Sequence, residues 1–189
     1  MIRQAELADF DAIVHIRESV ALDVDRLDDT DYRVQIQRDG FLLPTGLSIE
    51  RFQAEFYQTC SVAEREGQVV GYVRLQEDQD MPPGAEVSWM RPDLKDAYYA
   101  NPHAGIYGIA VLPEAKQHGV ATEMLQAAER QVRARNVTWL FSEIVTSPVT
   151  NLASLIFHEK NGFERVALTE PTQAYGMEGF QNLLYGKKL

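Results

Sequence analysis

Three polar residues in the C-terminal third of the chain are spaced so that they can surround one ligand. Asn151, Ser154 and His158 occupy positions i, i+3 and i+7 at the start of and along a predicted helix over 152–160, so they share one helical face. Imidazole exchanges protons near neutral pH, and amide and hydroxyl groups bind polar ligand atoms. A lone histidine is more often structural, but this alignment predicts a helix that borders a ligand cleft.

A second stretch, 105–122, combines a buried strand with a helix N-terminus. The apolar run from Ile106 to Leu112 predicts a central strand, Pro113 ends it, and a helix begins near Gly119. Unpaired amides and the helix dipole at such a start attract phosphate groups. Small side chains at Gly119 and Ala121 would let a ligand approach the backbone. An ordinary connection between a strand and a helix remains the alternative.

Two common phosphate loops are absent from the sequence, which contains neither G-x-x-x-x-G-K-[ST] nor G-x-G-x-x-G. The loop instead reads Lys116-Gln117-His118-Gly119-Val120-Ala121. It resembles the R/Q-x-x-G-x-G/A loop of the GNAT N-acyltransferase superfamily, which holds the pyrophosphate of acetyl-coenzyme A. Lys116 replaces the usual arginine or glutamine, and Gln117 stands where a glycine is common.

The polar helix carries the second half of this resemblance. Asn151, Ser154, His158, Gly162 and Phe163 resemble the GNAT pattern N-x-x-A/S-x-x-x-Y-x-x-x-G-F, and they are similar to a subgroup with S-x-x-F-H-x-x-x-G-F. His158 replaces the tyrosine that is usually assigned as general acid. The resemblance implies that His158 serves the leaving sulfur. It would do so either as an imidazolium stabilised by a carboxylate, with Glu159 and Glu143 as candidates, or through a neutral N–H.

The resemblance also implies the cofactor contacts. Backbone groups of Ile109, Ala110 and Val111 would pair with the pantetheine arm as an added strand does, next to a local distortion at Gly108. Backbone amides would hold the pyrophosphate, and they belong to Gln117, His118, Gly119, Val120, Ala121 and Thr122. Asn151 and Ser154 would contact the cofactor from the polar helix.

A general base is less clearly marked. Glu143 lies late in a predicted internal strand over 137–145, where a carboxylate is costly unless it is paired or faces a cleft. Glu143 and Tyr107 are the candidates, and a chain of water molecules would serve equally.

The order of predicted elements matches the GNAT layout. Strands are expected at 2–5, 60–65, 68–76, 164–168 and 182–189, and helices at 8–24 and 48–58, in addition to the elements above. An acidic stretch from Asp23 to Asp31 is expected to be a solvated loop. The predicted fold is therefore α/β (α+β) and GNAT-like, with a mixed, mostly antiparallel sheet flanked by helices in one domain over 1–189.

The segment 78–104 is long for a plain loop and contains Met81, Trp89, Met90, Tyr98 and Tyr99. It is predicted either to cover the acceptor site as a lid or to pack against the fold as a strand extension and turn.

Composition narrows the class of protein. The chain has 189 residues, 45% of them hydrophobic, and a net charge of −10, which argues against a nucleic-acid-binding surface. No apolar run approaches the ~20 residues that span a bilayer, and the first residues do not form a signal peptide. The lone Cys60 indicates a buried thiol and a reducing cytoplasm. No metal-ligand spacing is recognisable, and the chain is expected to be a monomer or homodimer.

Together these features predict an acetyl-CoA-dependent N-acetyltransferase in which a small-molecule or peptide amine attacks the thioester directly. A non-catalytic acyl-CoA-binding module is the main alternative, and a nucleotide-pyrophosphate binder is a weaker one.

Overall fold

The structure, a computed structural model, describes residues 1–77, 86–99 and 103–189. Within these ranges nine strands form one sheet in the order β1-β2-β3-β5-β6-β9-β7-β4, and β8 pairs with β9. The β5–β6 pair is parallel and every other pair is antiparallel. The strands are β1 (Ile2–Gln4), β2 (Cys60–Arg65), β3 (Gln68–Glu77), β4 (Val87–Trp89), β5 (Ala104–Val111), β6 (Trp139–Ser147), β7 (Glu164–Thr169), β8 (Thr172–Ala174) and β9 (Met177–Lys188).

Helices cover both faces of the sheet. They are α1 (Phe10–Ser19), α2 (Thr30–Asp39), α3 (Ile49–Arg51, continued by a π-helix over Phe52–Phe56), α4 (Pro92–Tyr99), α5 (Val120–Ala134) and α6 (Leu152–Lys160). The amphipathic α5 packs Met124 and Leu125 into the largest core cluster. On the other face, α1 and the π-helix bury Ile13 and Phe52 against β2 and β3. The predicted fold class is therefore confirmed.

The sequence prediction is wrong at α2, where a helix begins inside the acidic stretch expected to be a loop. Asp29 caps this helix, because its Oδ1 accepts hydrogen bonds from the amides of Asp31 (3.0 Å) and Tyr32 (3.1 Å). Tyr32 then anchors the helix in a buried apolar cluster. The stretch thus contains a helix start, which its density of charges obscured.

The parallel strands β5 and β6 pair only at their beginnings. Their last pair is Ile106 with Ser142, although β5 continues to Val111 and β6 to Ser147. On its other edge β5 bulges, because Gly108 pairs with Arg74 and Ile106 with Leu75, which leaves Tyr107 without an opposite residue in β3. The predicted distortion next to Gly108 is therefore present, and an open gap separates the two strands.

The described part of the segment 78–104 packs onto the sheet. β4 pairs with β7, and Trp89 and Tyr98 form a buried cluster with Phe141. The rings of Trp89 and Tyr98 meet edge to face at 5.8 Å. Packing is thus the role shown for Trp89, while residues 78–85 and 100–102 of the predicted lid lie outside the described residues.

We expect Gly71→Ala to destabilise the protein by about 1–3 kcal/mol, because a Cβ there would lie 2.9 Å from the carbonyl oxygen of Ala110. That oxygen belongs to the backbone of β5 and cannot rotate away. Gly46→Ala is the matched control, since nothing lies within 4 Å of its Cβ position. Urea unfolding measures both variants, and equal stabilities would contradict this account of strand spacing.

Candidate functional site

A cavity of about 660 Å³ occupies the gap between β5 and β6. Its walls also include the segment after α2, the loop before α5 and the inner side of α6. Ten of the residues predicted for the site line it: Tyr107, Ile109, Ala110, Val111, Gln117, Ala121, Glu143, Asn151, Ser154 and His158. Four others, His118, Gly119, Val120 and Thr122, are not among its lining residues.

The edge of β5 that faces the gap carries free backbone groups. The amide of Leu112 donates to the carbonyl of Val70 in β3 at 2.9 Å, so Leu112 faces β3. Backbone groups alternate direction along an antiparallel strand, so Ala110 also faces β3, whereas Ile109 and Val111 face the gap. The sequence prediction therefore needs one correction, because the backbone of Ala110 is used within the sheet.

The loop before α5 is held by local contacts. Lys116 Nζ donates to the carbonyl of Asp39 at 2.8 Å, and the His118 ring donates through Nδ1 to the carbonyl of Lys116 at 2.7 Å. Partial burial lowers the pKa of Lys116. Gln117 and Gly119 both have left-handed backbone angles, with φ of 66° and 77°. The loop therefore turns sharply just before the start of α5.

The N-terminus of α5 lacks a side-chain cap. Gly119 is its N-cap residue, and a Cβ built there would meet nothing within 4 Å. The first amides of a helix have no partner within the helix, so these donors remain available to an anion. Val120 points its side chain into the core, which leaves only its amide for this role.

Asn151 and Ser154 are largely engaged in holding the structure. Asn151 caps α6 by accepting a hydrogen bond from the Ser154 amide at 3.2 Å, and its Nδ2 donates to the carbonyl of Phe41 at 2.8 Å. These bonds fasten the segment after α2 to α6 across the cavity. Asn151 therefore shapes the wall of the cavity, and the predicted cofactor contact through its amide competes with these two bonds.

His158 is only 1% exposed, at the inner end of the cavity. Its Nδ1 donates to the Ser154 carbonyl at 2.8 Å, and its Nε2 has no hydrogen-bond partner among the described residues. Burial lowers its pKa to about 4, although the contact with Ser154 opposes this shift. Glu159, one expected partner, pairs instead with Arg165 at 2.6 Å. At neutral pH the ring is uncharged with a bare Nε2, which argues against the predicted role as proton donor.

Glu143 is the first residue of β6 beyond the last pair with β5. Leu184 lies directly opposite it in β9, and Phe141 and Val145 flank it on the same face of β6. These apolar neighbours raise the pKa of the Glu143 carboxyl through desolvation, while a 2.9 Å hydrogen bond from Asn182 Nδ2 opposes the increase. The carboxylate remains open to the cavity. Glu143 is nevertheless exposed on its cavity side, so this desolvation is partial. A partly desolvated carboxyl that opens onto a cavity is a candidate for a general base.

Several aromatic and cationic groups share the cavity with Glu143. The Tyr107 ring packs on the buried guanidinium of Arg74, whose Cζ lies 4.5 Å from the ring centroid, and this contact supports the ring. Tyr175, in the turn between β8 and β9, has a left-handed φ of 53°. Burial raises the pKa of Tyr175, and Tyr107 and Glu143 raise it further.

The sequence interpretation missed Tyr175, Asn182 and Arg17, which also line the cavity. Asn182 stands at the start of the last predicted strand, and its place beside Glu143 follows only from the register between β6 and β9. Arg17 had none, because an arginine on an amphipathic helix is normally solvated. Its guanidinium instead donates to the hydroxyl of Tyr72 at 2.8 Å and to the carbonyl of Thr45 at 2.7 Å.

The described ranges contain neither a metal-binding cluster nor a membrane-spanning helix. No cluster there of three or more histidine, cysteine, aspartate or glutamate side chains could hold a metal ion. None of the helices in those ranges is long and apolar enough to cross a membrane. Cys60 is fully buried, and burial raises the pKa of its thiol, in agreement with the expected structural role.

His158 should make stability depend on pH in a defined window. Its pKa is about 4 in the folded protein and about 6.5 when unfolded, so the unfolded chain binds more protons between these values. The contribution of neutral His158 to the free energy of unfolding is therefore fully present above pH 6.5, and it decreases by roughly 3 kcal/mol as the pH falls towards 4.

Denaturant unfolding at several pH values measures this effect. His158→Gln should flatten the slope across the window, whereas His15→Gln, at an exposed position on α1, should keep it. Identical slopes in the wild-type protein and His158→Gln would show that His158 does not stay neutral in the folded state.

Solved structures share this architecture. The ribosomal-protein-alanine N-acetyltransferase from Brucella melitensis superposes with a TM-score of 0.63 at 23% identity, covering 100% of this chain and 99% of that one. The yncA protein from Salmonella typhimurium, solved with its cofactor acetyl-CoA, gives a TM-score of 0.62 at 20% identity and covers 100% and 93%. At such identities the likeness establishes the fold alone.

Sequence comparisons establish the family. An N-alpha-acetyltransferase of Sulfurisphaera tokodaii is 27% identical over 165 residues, which cover 82% of this chain and 86% of the relative. The model of the acetyltransferase (GNAT) family matches residues 22–163, which is most of the chain. The matched residues include β5 and β6, the two strands that border the gap. The chain belongs to the acetyltransferase (GNAT) family.

Proposed function

We propose that this protein transfers the acetyl group of acetyl-CoA to a primary amine by direct attack of the amine on the thioester. One observation carries the proposal. The gap between β5 and β6 brings together in one cavity an open strand edge, Lys116, Gln117 and Ala121 at the start of α5, and the carboxylate of Glu143. In acetyl-CoA, the pantetheine arm would pair with the strand edge, the pyrophosphate would lie at the start of α5, and the thioester would lie beside Glu143.

The fit to acetyl-CoA rests on two unused sets of backbone groups. The gap-facing amides and carbonyls of Ile109 and Val111 would pair with the pantetheine arm as a strand edge does. The free amides from Gly119 to Thr122 would hold the pyrophosphate at the start of α5. Lys116 and Gln117 line the adjoining wall, where the lysine adds positive charge.

The thioester would lie where β5 and β6 separate, beside Tyr107 and Glu143. The acceptor ammonium gives one proton to the Glu143 carboxylate, and the nitrogen lone pair then forms the C–N bond at the thioester carbon. The bulge at Tyr107 leaves a residue without a strand partner, and its amide is suited to stabilise the developing oxyanion. When the C–S bond breaks, sulfur takes the electron pair, and the second nitrogen proton ends on sulfur through water.

His158 has no proton-donating step in this proposal. Its ring is buried and neutral, with its one N–H directed at the Ser154 carbonyl. We propose that it supports the inner wall of the cavity, packed against Phe163 with ring centroids 5.0 Å apart.

An amine screen tests the proposed function. Wild-type protein with acetyl-CoA should release free thiol with at least one class of amine, covering peptides with a free α-amino group, amino acids, polyamines and aminoglycosides. Peptides deserve the first place in the screen, because the Sulfurisphaera tokodaii relative is an N-alpha-acetyltransferase. Glu143→Gln should lower kcat by roughly 10²–10⁴-fold and keep the acetyl-CoA Kd within a few-fold. Thiol release that persists in Glu143→Gln would remove this carboxylate from the reaction.

A non-catalytic acyl-CoA-binding module is the competing function. It predicts acetyl-CoA binding by calorimetry with no thiol release above background for any amine. Competition by ATP distinguishes both from a general pyrophosphate binder, since ATP would then displace acetyl-CoA at similar concentrations.

The Gly119 position gives a graded test of the pyrophosphate site. Gly119→Glu should abolish measurable acetyl-CoA binding, because a carboxylate would stand beside the free amides. Gly119→Gln has the same size without the charge and should bind more tightly than Gly119→Glu. Gly119→Ala controls for the strain of a side chain at φ 77°, since its Cβ has open space.

Calorimetry measures these affinities, and circular dichroism confirms that each variant is folded. Unchanged acetyl-CoA affinity in a folded Gly119→Glu protein would exclude the N-terminus of α5 from the site.

A further inference from the structure

We infer that Asn182 is a positioning residue that holds the Glu143 carboxylate in the orientation and charge state needed to take a proton from the acceptor ammonium. This inference rests on the proposed function and adds a second residue to the acceptor subsite. It is carried by the geometry of β6 and β9 around Glu143.

The register of the two strands places Asn182 next to Glu143. Asn182 pairs with Val145, so it lies diagonally from Glu143 on the same face of the sheet. Its Nδ2 donates to Glu143 Oε2 at 2.9 Å. Within the described ranges this is the hydrogen bond that the Glu143 side chain accepts from another side chain. The other carboxylate oxygen, Oε1, is available to a ligand in the cavity.

Asn182 is itself held in place. Its backbone amide donates to the Thr169 hydroxyl of β7 at 2.8 Å, and it sits in the central part of β9 between β6 and β7. Its Oδ1 is buried without a hydrogen-bond partner among the described residues. A buried unpaired oxygen costs stability, so the side-chain orientation that points Nδ2 at Glu143 carries an energetic cost.

The remaining surroundings of Glu143 explain why one donor matters. Leu184, Phe141 and Val145 surround it on the sheet and offer no hydrogen bond. Other titratable groups that line the same cavity include Tyr107 of β5, Tyr175 in the turn before β9, His103 just before β5, Tyr98 of α4 and His158 of α6, while Arg17 belongs to α1. Although Glu143 is exposed on its cavity side, the amide of Asn182 favours the carboxylate over the neutral acid.

The consequence is a defined pH profile. A base must be ionised to act, so the acidic limb of kcat/KM for the amine reports the protonation of Glu143. Asn182→Leu removes the donor at similar volume, and it should move this limb upward by roughly one to two pH units. Asn182→Asp places a second carboxylate beside the first and should move it further.

The matched control is Gln181→Leu. Gln181 is the preceding residue of β9 and donates from its amide to the carbonyl of Thr169 at 3.0 Å, without contacting Glu143. The Gln181→Leu substitution therefore removes a side-chain amide and one hydrogen bond from the same strand as Asn182→Leu does. The pH profile of Gln181→Leu should match the wild-type profile, and the acetyl-CoA Kd should stay within a few-fold in all variants.

The experiment has two arms. Carbon-13 NMR of carboxyl-labelled glutamate, with the Glu143 signal assigned by its loss in Glu143→Gln, follows the carboxyl directly and needs no turnover. Steady-state kinetics from pH 5.5 to 9 use the amine that is acetylated fastest in the screen. The inference expects the midpoint of Glu143 and the acidic limb to rise together in Asn182→Leu and to remain unchanged in Gln181→Leu.

The outcomes separate the two proposals. An unchanged Glu143 midpoint in folded Asn182→Leu overturns the inference whatever the activity. A raised midpoint with an unmoved kinetic limb overturns the link between this pair and the reaction. Absence of thiol release with every amine in the wild-type protein overturns the proposed function, while the NMR arm still decides whether Asn182 controls Glu143.

Discussion

The separation of β5 from β6 after Ile106 and Ser142 is the constraint on which the rest of the site depends. A sheet interior normally pairs all of its backbone groups, since unpaired buried groups are costly. Here two central strands diverge, and the bulge at Tyr107 and the side chains of α6 maintain the opening. The gap simultaneously exposes a strand edge and brings Glu143 to the wall of a cavity. The open strand edge and the carboxylate proposed as the base therefore both arise from one irregularity of the sheet.

The supporting contacts keep this gap in shape. Asn151 ties the segment after α2 to the start of α6, and Lys116 ties the end of α2 to the loop before α5. Gly108 brings no side chain to its face of β5, where the Tyr72 hydroxyl would lie 3.6 Å from a Cβ. Burial raises the pKa of Tyr72 to about 12, so this hydroxyl stays protonated while it accepts the hydrogen bond from Arg17. These parts of the cavity wall are thus fixed by hydrogen bonds made within the protein.

Sequence patterns predicted the elements with strong periodicity or clear boundaries. The strand before Pro113, the helix after Gly119 and the helix between Asn151 and Asn161 all lie close to their predicted positions. Two elements were not predicted. The helix α2 begins in a run of aspartates that reads as a loop, and the strand β8 has only three residues. Residue types also marked Glu143 and Tyr107 as candidates for the site. Charge states could not be predicted, since the neutral ring of His158 depends on burial that only the packed structure supplies. Asn182 was missed because its role depends on the register between β6 and β9.

The sheet ends in very short strands on both sides, with three residues in β1 and three in β4. Outer strands offer unpaired amides and carbonyls to other chains, so short ones leave little for another molecule to pair with. The longer unpaired stretches of β5 and β6 lie at the centre of the sheet, at the floor of the cavity. This arrangement favours a narrow, flexible guest over another folded protein's strand. The same backbone chemistry that drives aggregation in other sheets is therefore kept inside a cavity rather than at the outer edges of the sheet.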